Sequence, residues 1–197
     1  MRKSRVEAAK TRERIVAAAA AEFRRHGIAA TGLIDLMKAA GLTHGGFYKH
    51  FASKGQLVAE ACAAALTPSE LAALLPPKAA ATKKGREGLK ARAAAYLSAI
   101  HRDNPQAGCP FAALGSELAR ADDETRATLT AGLLRGIDVF AGHFDNARPD
   151  EARRRAIVMA SLMTGALTLA RVVDDPELSN TILRTAVKAV TRLYVEE

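Results

Sequence analysis

Residues 31–54 read TGLIDLMKAAGLTHGGFYKHFASK, and this stretch decides the fold. Its first half predicts a short helix that opens at Thr31, because apolar residues follow at helical spacing. Gly41 is expected to end that helix, since glycine is typical of the residue just past a helix C-terminus. Thr43 is an N-cap type residue, so a second helix is expected to begin at His44. Two short helices joined by a glycine-containing turn predict a helix-turn-helix, whose second helix enters the DNA major groove.

The distribution of charge supports this interpretation. Residues 1–54 carry eleven Lys and Arg and four Asp and Glu, a net charge of +7, whereas the whole chain carries +8. An excess of positive charge around a helix-turn-helix is what neutralisation of DNA phosphates requires. A solvated basic tail is the alternative explanation for the same residues.

The composition predicts an all-α fold. Of the 197 residues, 49% are apolar and 25% charged, alanine is frequent, and no segment alternates apolar and polar residues as a strand does. We expect a three-helix helix-turn-helix domain followed by a helical bundle for ligand binding and dimerisation. The segments are a basic flexible arm (1–9), a DNA-binding domain (10–56) with the helix-turn-helix from Gly32 to Phe51, and a C-terminal domain (57–197).

Capping signals place the helices within these segments. Ser53 and Gln56 form a capping box, and Pro110, Pro149 and Pro176 each open a helix. The expected helices span residues 10–26, 31–40, 44–51, 53–66, 86–102, 110–120, 122–144, 149–173 and 176–195, with a restart at Thr67-Pro68-Ser69-Glu70 and a linker over 76–85.

Other classes of protein are disfavoured by missing patterns. There is no uninterrupted run of ~18 apolar residues, so we expect no membrane-spanning segment, and residues 1–10 lack the apolar core of a secretory signal. Two cysteines are too few for a structural zinc site. No H-x-x-x-H, G-x-S-x-G or glycine-rich phosphate loop occurs, so no catalytic residue, metal or cofactor is expected. The simplest setting is the cytoplasm.

Residues 156–170, AIVMASLMTGALTLA, are apolar or small on every side of the expected helix. Such a helix must be covered all round, so one flank is expected to face a second subunit. Small residues on this helix and an apolar stripe on the next predict the dimer interface: Ser161, Gly165, Thr168, Ile182, Ala186, Val190 and Leu193. Burial within one subunit is the alternative.

The block TRERIVAAAAAEFRRHGIAATGLIDLMKAAGLTHGGFYKHFASKGQLVAEA resembles the DNA-binding region of tetracycline-repressor-like (TetR/AcrR) regulators. The likeness covers about residues 10–61 and rests on T-R-x-x-I, F-x-x-x-G, A-G-L-T, G-x-F-Y-x-H-F and S-K together. It implies an all-α homodimer, a C-terminal ligand-binding domain, and repression relieved by a small molecule. The chain departs from the pattern at Gly55, where an acidic residue is more usual, and Gly45-Gly46 lowers the helix propensity of the recognition helix.

Within the helix-turn-helix, Phe47 and Phe51 are spaced as buried anchors that hold the recognition helix against the first two helices. The remaining residues are expected to face DNA. His44, Gly45 and Lys49 point toward bases, with phosphate as the alternative for Lys49, and Tyr48 and His50 point toward phosphate. Thr31 and Thr43 are expected to cap helices and contact phosphate, and Lys54 adds positive charge that binds phosphate. For Tyr48 the resemblance implies the same role. Packing of Tyr48 and a helix-end role for His50 are the alternatives.

The effector is expected in the C-terminal domain. Side chains that suit a pocket are Tyr96, Cys109, Phe111, Leu114, Phe140, Met159 and Met163, although core packing explains them equally well. Cys109 precedes Pro110 at a predicted helix N-terminus, where the dipole favours a thiolate, so a thiol sensor of electrophiles or oxidants is an alternative function. A ligand-independent DNA-binding protein is another.

Overall fold

The computed structural model describes residues 5–67 and 85–192. Within those ranges every regular element is helical, which confirms the all-α prediction. The α-helices are α1 (Arg5–His26), α2 (Leu33–Ala39), α3 (Lys54–Ala65), α4 (Gly85–Tyr96), α5 (Ala99–Asp103), α6 (Pro110–Leu118), α7 (Asp123–Ala141), α8 (Pro149–Val172) and α9 (Pro176–Arg192). Two 3₁₀ helices, His44–Lys49 and Pro105–Ala107, complete the set, and the former is called the recognition helix below.

The chain forms two compact units whose boundaries differ from those expected. The first contains Met1–Thr67 and Pro105–Thr130, and the second contains Pro68–Asn104 and Ala131–Glu197. The sequence placed everything after residue 56 in one C-terminal domain. That division misses α3, which packs along α1, and α6, which returns to α1 from far along the chain. Such long-range packing leaves no local signal in the sequence.

The first helix begins earlier than expected. Residues 5–9 were assigned to a flexible arm, but α1 starts at Arg5. Val6, Glu7, Ala8 and Ala9 contain no helix breaker, and Glu7 lies in the first turn, where the helix dipole favours an acid. Gly27 ends the helix as expected, with a φ of 89° and its amide donating to the Phe23 carbonyl at 2.8 Å.

One expected helix is divided in two. Residues 86–102 were predicted to be continuous, yet α4 ends at Tyr96 and α5 begins at Ala99. Ser98 causes the break, because its backbone is extended and its hydroxyl accepts the His101 amide at 3.2 Å as an N-cap. Residues 68–75 of the predicted restart, nearly all of the linker, and Leu193 lie outside the described residues.

The second unit is organised around α8 and α9, which pack along each other, and α9 also packs against α4. Arg171 of α8 donates to the carbonyls of His101 and Arg102 at 2.7 and 3.1 Å, and so holds the C-terminal end of α5. Burial lowers the pKa of His101, while its ring nitrogen Nδ1 lies 2.7 Å from the Tyr96 carbonyl. These contacts fix α5 despite its length of one turn.

Helix α8 is long and apolar enough to cross a membrane by length and composition alone, although it has no continuous run of ~18 apolar residues. The same test is passed by core helices of soluble proteins. Met159, Met163 and Leu167 on this helix are fully buried within the chain. Its apolar character is therefore used in part for packing inside the second unit.

Candidate nucleic-acid interface

The recognition helix is anchored by two phenylalanines. Phe47 and Phe51 are buried, and their rings stack with centroids 5.6 Å apart. The Arg12 guanidinium lies 4.6 Å above the Phe51 ring and forms an ion pair with Glu60 of α3. Burying a phenylalanine ring stabilises a fold by about 3 kcal/mol relative to exposure. The recognition helix is thus held against α1 through Phe51 and also packs against α2, the two helices that the sequence predicted.

The turn before the recognition helix is a Schellman motif. Gly41 has a φ of 67°, its amide donates to the Lys38 carbonyl at 2.9 Å, and the Leu42 amide donates to the Met37 carbonyl at 2.8 Å. Arg14 of α1 also donates to the Ala40 carbonyl at 2.6 Å. The predicted stop at Gly41 is confirmed, and α1 holds the turn in place.

The recognition helix is 3₁₀ rather than α-helical over its six residues. Gly45 and Gly46 each lower helix propensity by about 1 kcal/mol relative to alanine, and Thr43 makes no side-chain capping bond. A Cβ placed on Gly45 would meet nothing within 4 Å, whereas one on Gly46 would lie 3.4 Å from Met37 Cε. The free chain therefore does not need a glycine at position 45, and the site remains open for close approach of another molecule.

Most of the predicted DNA-contacting side chains lie on the exposed side of this helix. Tyr48 is 68% exposed and packs edge-on against Phe47 at 5.1 Å. The exposed residues are Thr43, His44, Gly45, Tyr48 and Lys49. His50, at the C-cap, is half-buried. Hydroxyl, imidazole, phenol and ammonium groups thus share one solvent-facing surface, and each is a donor suited to phosphate or base edges.

Thr31 does not belong to that surface. It is only 3% exposed, and its hydroxyl donates to the Gly27 carbonyl at 2.6 Å. The N-cap of α2 is Gly32, so Thr31 is neither a cap nor an accessible phosphate donor. The prediction for Thr31 is wrong because threonine can bond back to the preceding turn.

Lys54 has a mixed role. Its ammonium donates to the Ile28 carbonyl at 2.5 Å and lies 5.9 Å from the centre of the Phe23 ring. An ammonium has three donors, so two stay available. The capping box beside it is confirmed, since Ser53 accepts the Gln56 amide at 3.1 Å and Gln56 accepts the Ala52 amide at 2.8 Å.

One apolar residue of α2 is exposed. Ile34 is 65% exposed, while Leu36 and Met37 form the buried side of the helix. Residues 33, 34, 36 and 37 are all apolar, and four apolar residues within five positions cannot all face one side of a helix.

The predicted pocket residues are divided between the two units. Tyr96, Phe140, Met159 and Met163 lie in the second unit, whereas Cys109, Phe111 and Leu114 lie in the first. Leu114 lines a cavity of about 10 Å³ with residues of α1 and α3, which has room for no more than one water molecule. Leu114 is therefore a packing residue of the first unit.

Both cysteines are buried thiols, and neither forms a disulfide. Burial raises the pKa of Cys62 to about 11, and the nearby Arg24 charge opposes that rise only in part. Cys109 is the N-cap of α6, as the sequence predicted, but it is only 6% exposed. Sensing thiols are partly exposed, so burial favours a structural role for Cys109.

Comparison with known families matches both parts of the chain. Residues 15–61 match the family described as bacterial regulatory proteins, tetR family, and residues 85–187 match the C-terminal domain of LmrA/YxaF-like transcriptional regulators. An uncharacterized HTH-type transcriptional regulator of Mycobacterium tuberculosis is 32% identical over 172 residues, covering 83% of this chain and 86% of the relative. The probable acrEF/envCD operon repressor of Escherichia coli is 41% identical over 59 residues, 30% of this chain and 27% of that protein.

Solved structures show the same fold along nearly the full length. A TetR transcriptional regulator from Chloroflexus aurantiacus has a TM-score of 0.76 and 27% identity, covering 97% of each chain. The reduced form of Escherichia coli NemR has a TM-score of 0.74 and 22% identity, covering 92% of this chain and 95% of that one. At that identity, the second likeness concerns the fold alone.

Replacing Tyr48 with phenylalanine tests the exposed surface. Tyr48→Phe keeps the edge-on contact with Phe47 but removes the hydroxyl donor. We expect DNA affinity to fall about 2- to 10-fold, the effect of losing one hydrogen bond worth about 0.5–1.5 kcal/mol. Fluorescence anisotropy at moderate salt measures the affinity, and circular dichroism checks that helicity is unchanged. Equal affinity of the variant and the wild type would remove Tyr48 from the interface.

Proposed function

The chain belongs to the tetR family of bacterial regulatory proteins, and we propose that it is a repressor that binds a palindromic operator as a homodimer and is released by a small molecule. It is a transcriptional regulator with a DNA-binding helix-turn-helix. The observation that carries the proposal is the recognition helix: Phe47 is buried, while Tyr48 and Lys49 beside it are exposed. That division leaves donors and positive charge free for DNA.

Repression is supported by the name of one relative. The Escherichia coli protein that is 41% identical over 59 residues, 30% of this chain and 27% of its own length, is a probable operon repressor. We therefore propose repression as the direction of regulation.

Selection of bound duplexes from a random-sequence library tests operator binding. We expect a palindrome whose half-site centres are about 34–36 Å apart, one helical turn of DNA, because a two-fold symmetric dimer presents two recognition helices. Recovery of no enriched sequence, or of a sequence without two-fold symmetry, would contradict the proposal.

Salt dependence tests the contact made by Lys49. Lys49→Ala is expected to weaken binding to the selected duplex. It should also make the negative slope of log K against log salt shallower by about 0.9 per protomer, because one phosphate contact is lost. Lys188→Ala is the matched control, since Lys188 is also an exposed lysine but lies on α9 in the second unit. An equal change of slope in both variants would show a general charge effect rather than a contact.

The proposed dimer interface is an apolar groove between α8 and α9. The groove has a volume of about 770 Å³ and is lined by Ile157, Val158, Ser161, Leu162, Gly165, Ala166, Leu169, Thr181, Ile182, Thr185, Ala186 and Ala189. Ile157, Val158 and Leu169 are 44–57% exposed in the single chain. A second copy of this face would cover these side chains, in the isologous arrangement typical of two-fold dimers.

Four of the seven residues predicted for the interface line this groove: Ser161, Gly165, Ile182 and Ala186. Thr168 is exposed but does not line the groove, and its hydroxyl donates to the Thr164 carbonyl at 3.0 Å. Val190 is fully buried within the chain, so it cannot reach a second copy. The prediction that Val190 belongs to the interface is therefore wrong. Helical spacing alone does not separate the flank that packs inside from the flank that remains open.

The effector is proposed to bind in the second unit. Tyr96, Phe140, Met159 and Met163 remain its candidate contacts, and they favour a largely apolar molecule. The Tyr96 hydroxyl lies 3.4 Å from the Thr164 hydroxyl, which gives a polar group that can orient such a ligand. Loss of DNA binding on addition of the molecule is the property that defines this effector.

Gly165→Leu tests the dimer. A Cβ at Gly165 would meet nothing within 4 Å in the single chain, and replacing a mid-helix glycine favours the helix by about 1 kcal/mol. We therefore expect a folded variant whose mass by light scattering at micromolar concentration is that of one chain, because the leucine fills the shared groove. Gly136→Leu on α7 is the matched control, since its Cβ would also meet nothing within 4 Å, and it should retain the mass of two chains. A Gly165→Leu variant that stays dimeric contradicts this interface.

A further inference from the structure

The turn between α1 and α2, residues 27–32, joins the longest helix of the first unit to the helix-turn-helix. The Thr31 hydroxyl donates to the Gly27 carbonyl at 2.6 Å, and the Lys54 ammonium donates to the Ile28 carbonyl at 2.5 Å. Because α2 packs against the recognition helix, the path of this turn sets where both helices lie in the first unit.

A carboxylate from α6 binds the same turn. Glu117 Oε1 accepts the Ile28 amide at 3.1 Å, and Glu117 Oε2 accepts the Ala29 amide at 2.8 Å. These two hydrogen bonds are called the Glu117 clamp. Hydrogen bonds to a charged acceptor are about twice as strong as neutral ones. The clamp joins residues 88 and 89 positions apart in the sequence, which is why sequence patterns did not reveal it.

The backbone of the turn is shaped to admit this carboxylate. Gly27 has a φ of 89°, and a Cβ placed on it would lie 2.9 Å from Glu117 Oε1. A side chain at position 27 would therefore strain the backbone and also collide with the carboxylate. Glycine at this position ends α1 and leaves room for Glu117.

One further contact and one close approach link residues 105–130 to the helices of the DNA-binding region. Arg24 of α1 donates through Nε and Nη2 to the Gln106 carbonyl at 2.9 and 2.6 Å. A Cβ on Gly55, at the start of α3, would lie 4.0 Å from Asp122 Oδ2. The Thr125 amide donates to Asp122 and lowers its pKa, so this carboxylate carries its charge beside the first turn of α3.

We propose that Glu117 is the positioning residue of the helix-turn-helix, and that its clamp fixes α2 and the recognition helix in the arrangement that binds DNA. This inference rests on the proposed function. Glu117 lies on α6, and the next helix, α7, continues from the first unit into the second beyond Thr130. Along the chain, only residues 119–122 separate the helix that carries Glu117 from the helix that leads into the unit proposed to bind the effector.

Because Glu117 is negatively charged, its positioning role and simple electrostatics predict opposite changes in DNA affinity. Glu117→Gln removes one negative charge from a DNA-binding unit, so electrostatics alone would strengthen DNA binding. Positioning requires the opposite, because the amide of glutamine places an N–H donor against a backbone N–H donor. We expect binding to the selected duplex to weaken at least tenfold, about 1.4 kcal/mol. Glu124→Gln is the matched control, since Glu124 is exposed in the first unit, and it should bind as tightly as the wild type or slightly more tightly.

Hydrogen exchange separates positioning from a general loss of stability. In Glu117→Gln the amides of Ile28 and Ala29 should exchange at least about tenfold faster, while exchange in α8 and α9 stays unchanged. Binding as tight as the wild type, or unchanged exchange at residues 28 and 29, would overturn the inference. If the wild type binds no duplex, the proposed function fails by itself, and exchange still decides whether the clamp exists.

A double-mutant cycle covers the case in which Glu117→Gln does not fold. Gly27→Ala is expected to destabilise the wild type more than it destabilises Glu117→Ala, because the nearest neighbour of the new Cβ is absent in the second background. The backbone strain of the positive φ is present in both backgrounds and cancels. If Gly27→Ala lowers the free energy of unfolding equally in the wild-type and Glu117→Ala backgrounds, as measured by denaturant unfolding, the clamp is contradicted.

Discussion

The stacked rings of Phe47 and Phe51 hold the recognition helix in place, and the DNA-binding surface depends on that packing. Six residues in a 3₁₀ helix with two adjacent glycines and no side-chain cap have little intrinsic helical stability. Burial of the two rings supplies the missing stability, and the Arg12 guanidinium covers the outer ring while pairing with Glu60. Residues between the two rings, Tyr48 and Lys49, are exposed as a consequence. The anchors thus determine which side chains face solvent.

Polar contacts then set the orientation of α2, which lies next to the recognition helix. Arg14 holds the turn after α2, whereas Lys54 and Glu117 hold the turn before it. Each of these side chains bonds to backbone groups, so the contacts constrain the path of the chain more directly than apolar packing does. Apolar burial is nearly indifferent to small rotations, but a hydrogen bond weakens steeply as its angle departs from linearity. The two kinds of contact therefore have separate roles, stability from the rings and orientation from the polar groups.

Local rules were enough to predict much of this region. Gly27, Gly41 and the Ser53–Gln56 capping box each act within a few residues, and the structure has all three as expected. The predictions that failed depend on distant contacts or on competing local bonds. Thr31 bonds back to Gly27 instead of facing DNA, Ser98 starts a new helix inside an apolar pattern, and residues 105–130 return to α1. A pattern of apolar residues reveals that a face is buried, but it does not reveal which part of the chain covers it.

The small size of the recognition helix explains why the proposed dimer matters for function. One 3₁₀ helix of six residues offers few contacts to base edges, and each good contact is worth about 1–3 kcal/mol of discrimination. A second copy held at a fixed spacing doubles those contacts and makes the second binding step intramolecular, so affinity rises without any new type of contact. The same coupling makes binding sensitive to the spacing of the two recognition helices. Each copy would hold its own turn through Glu117, so a substitution that shifts this turn would displace the recognition helix of both copies.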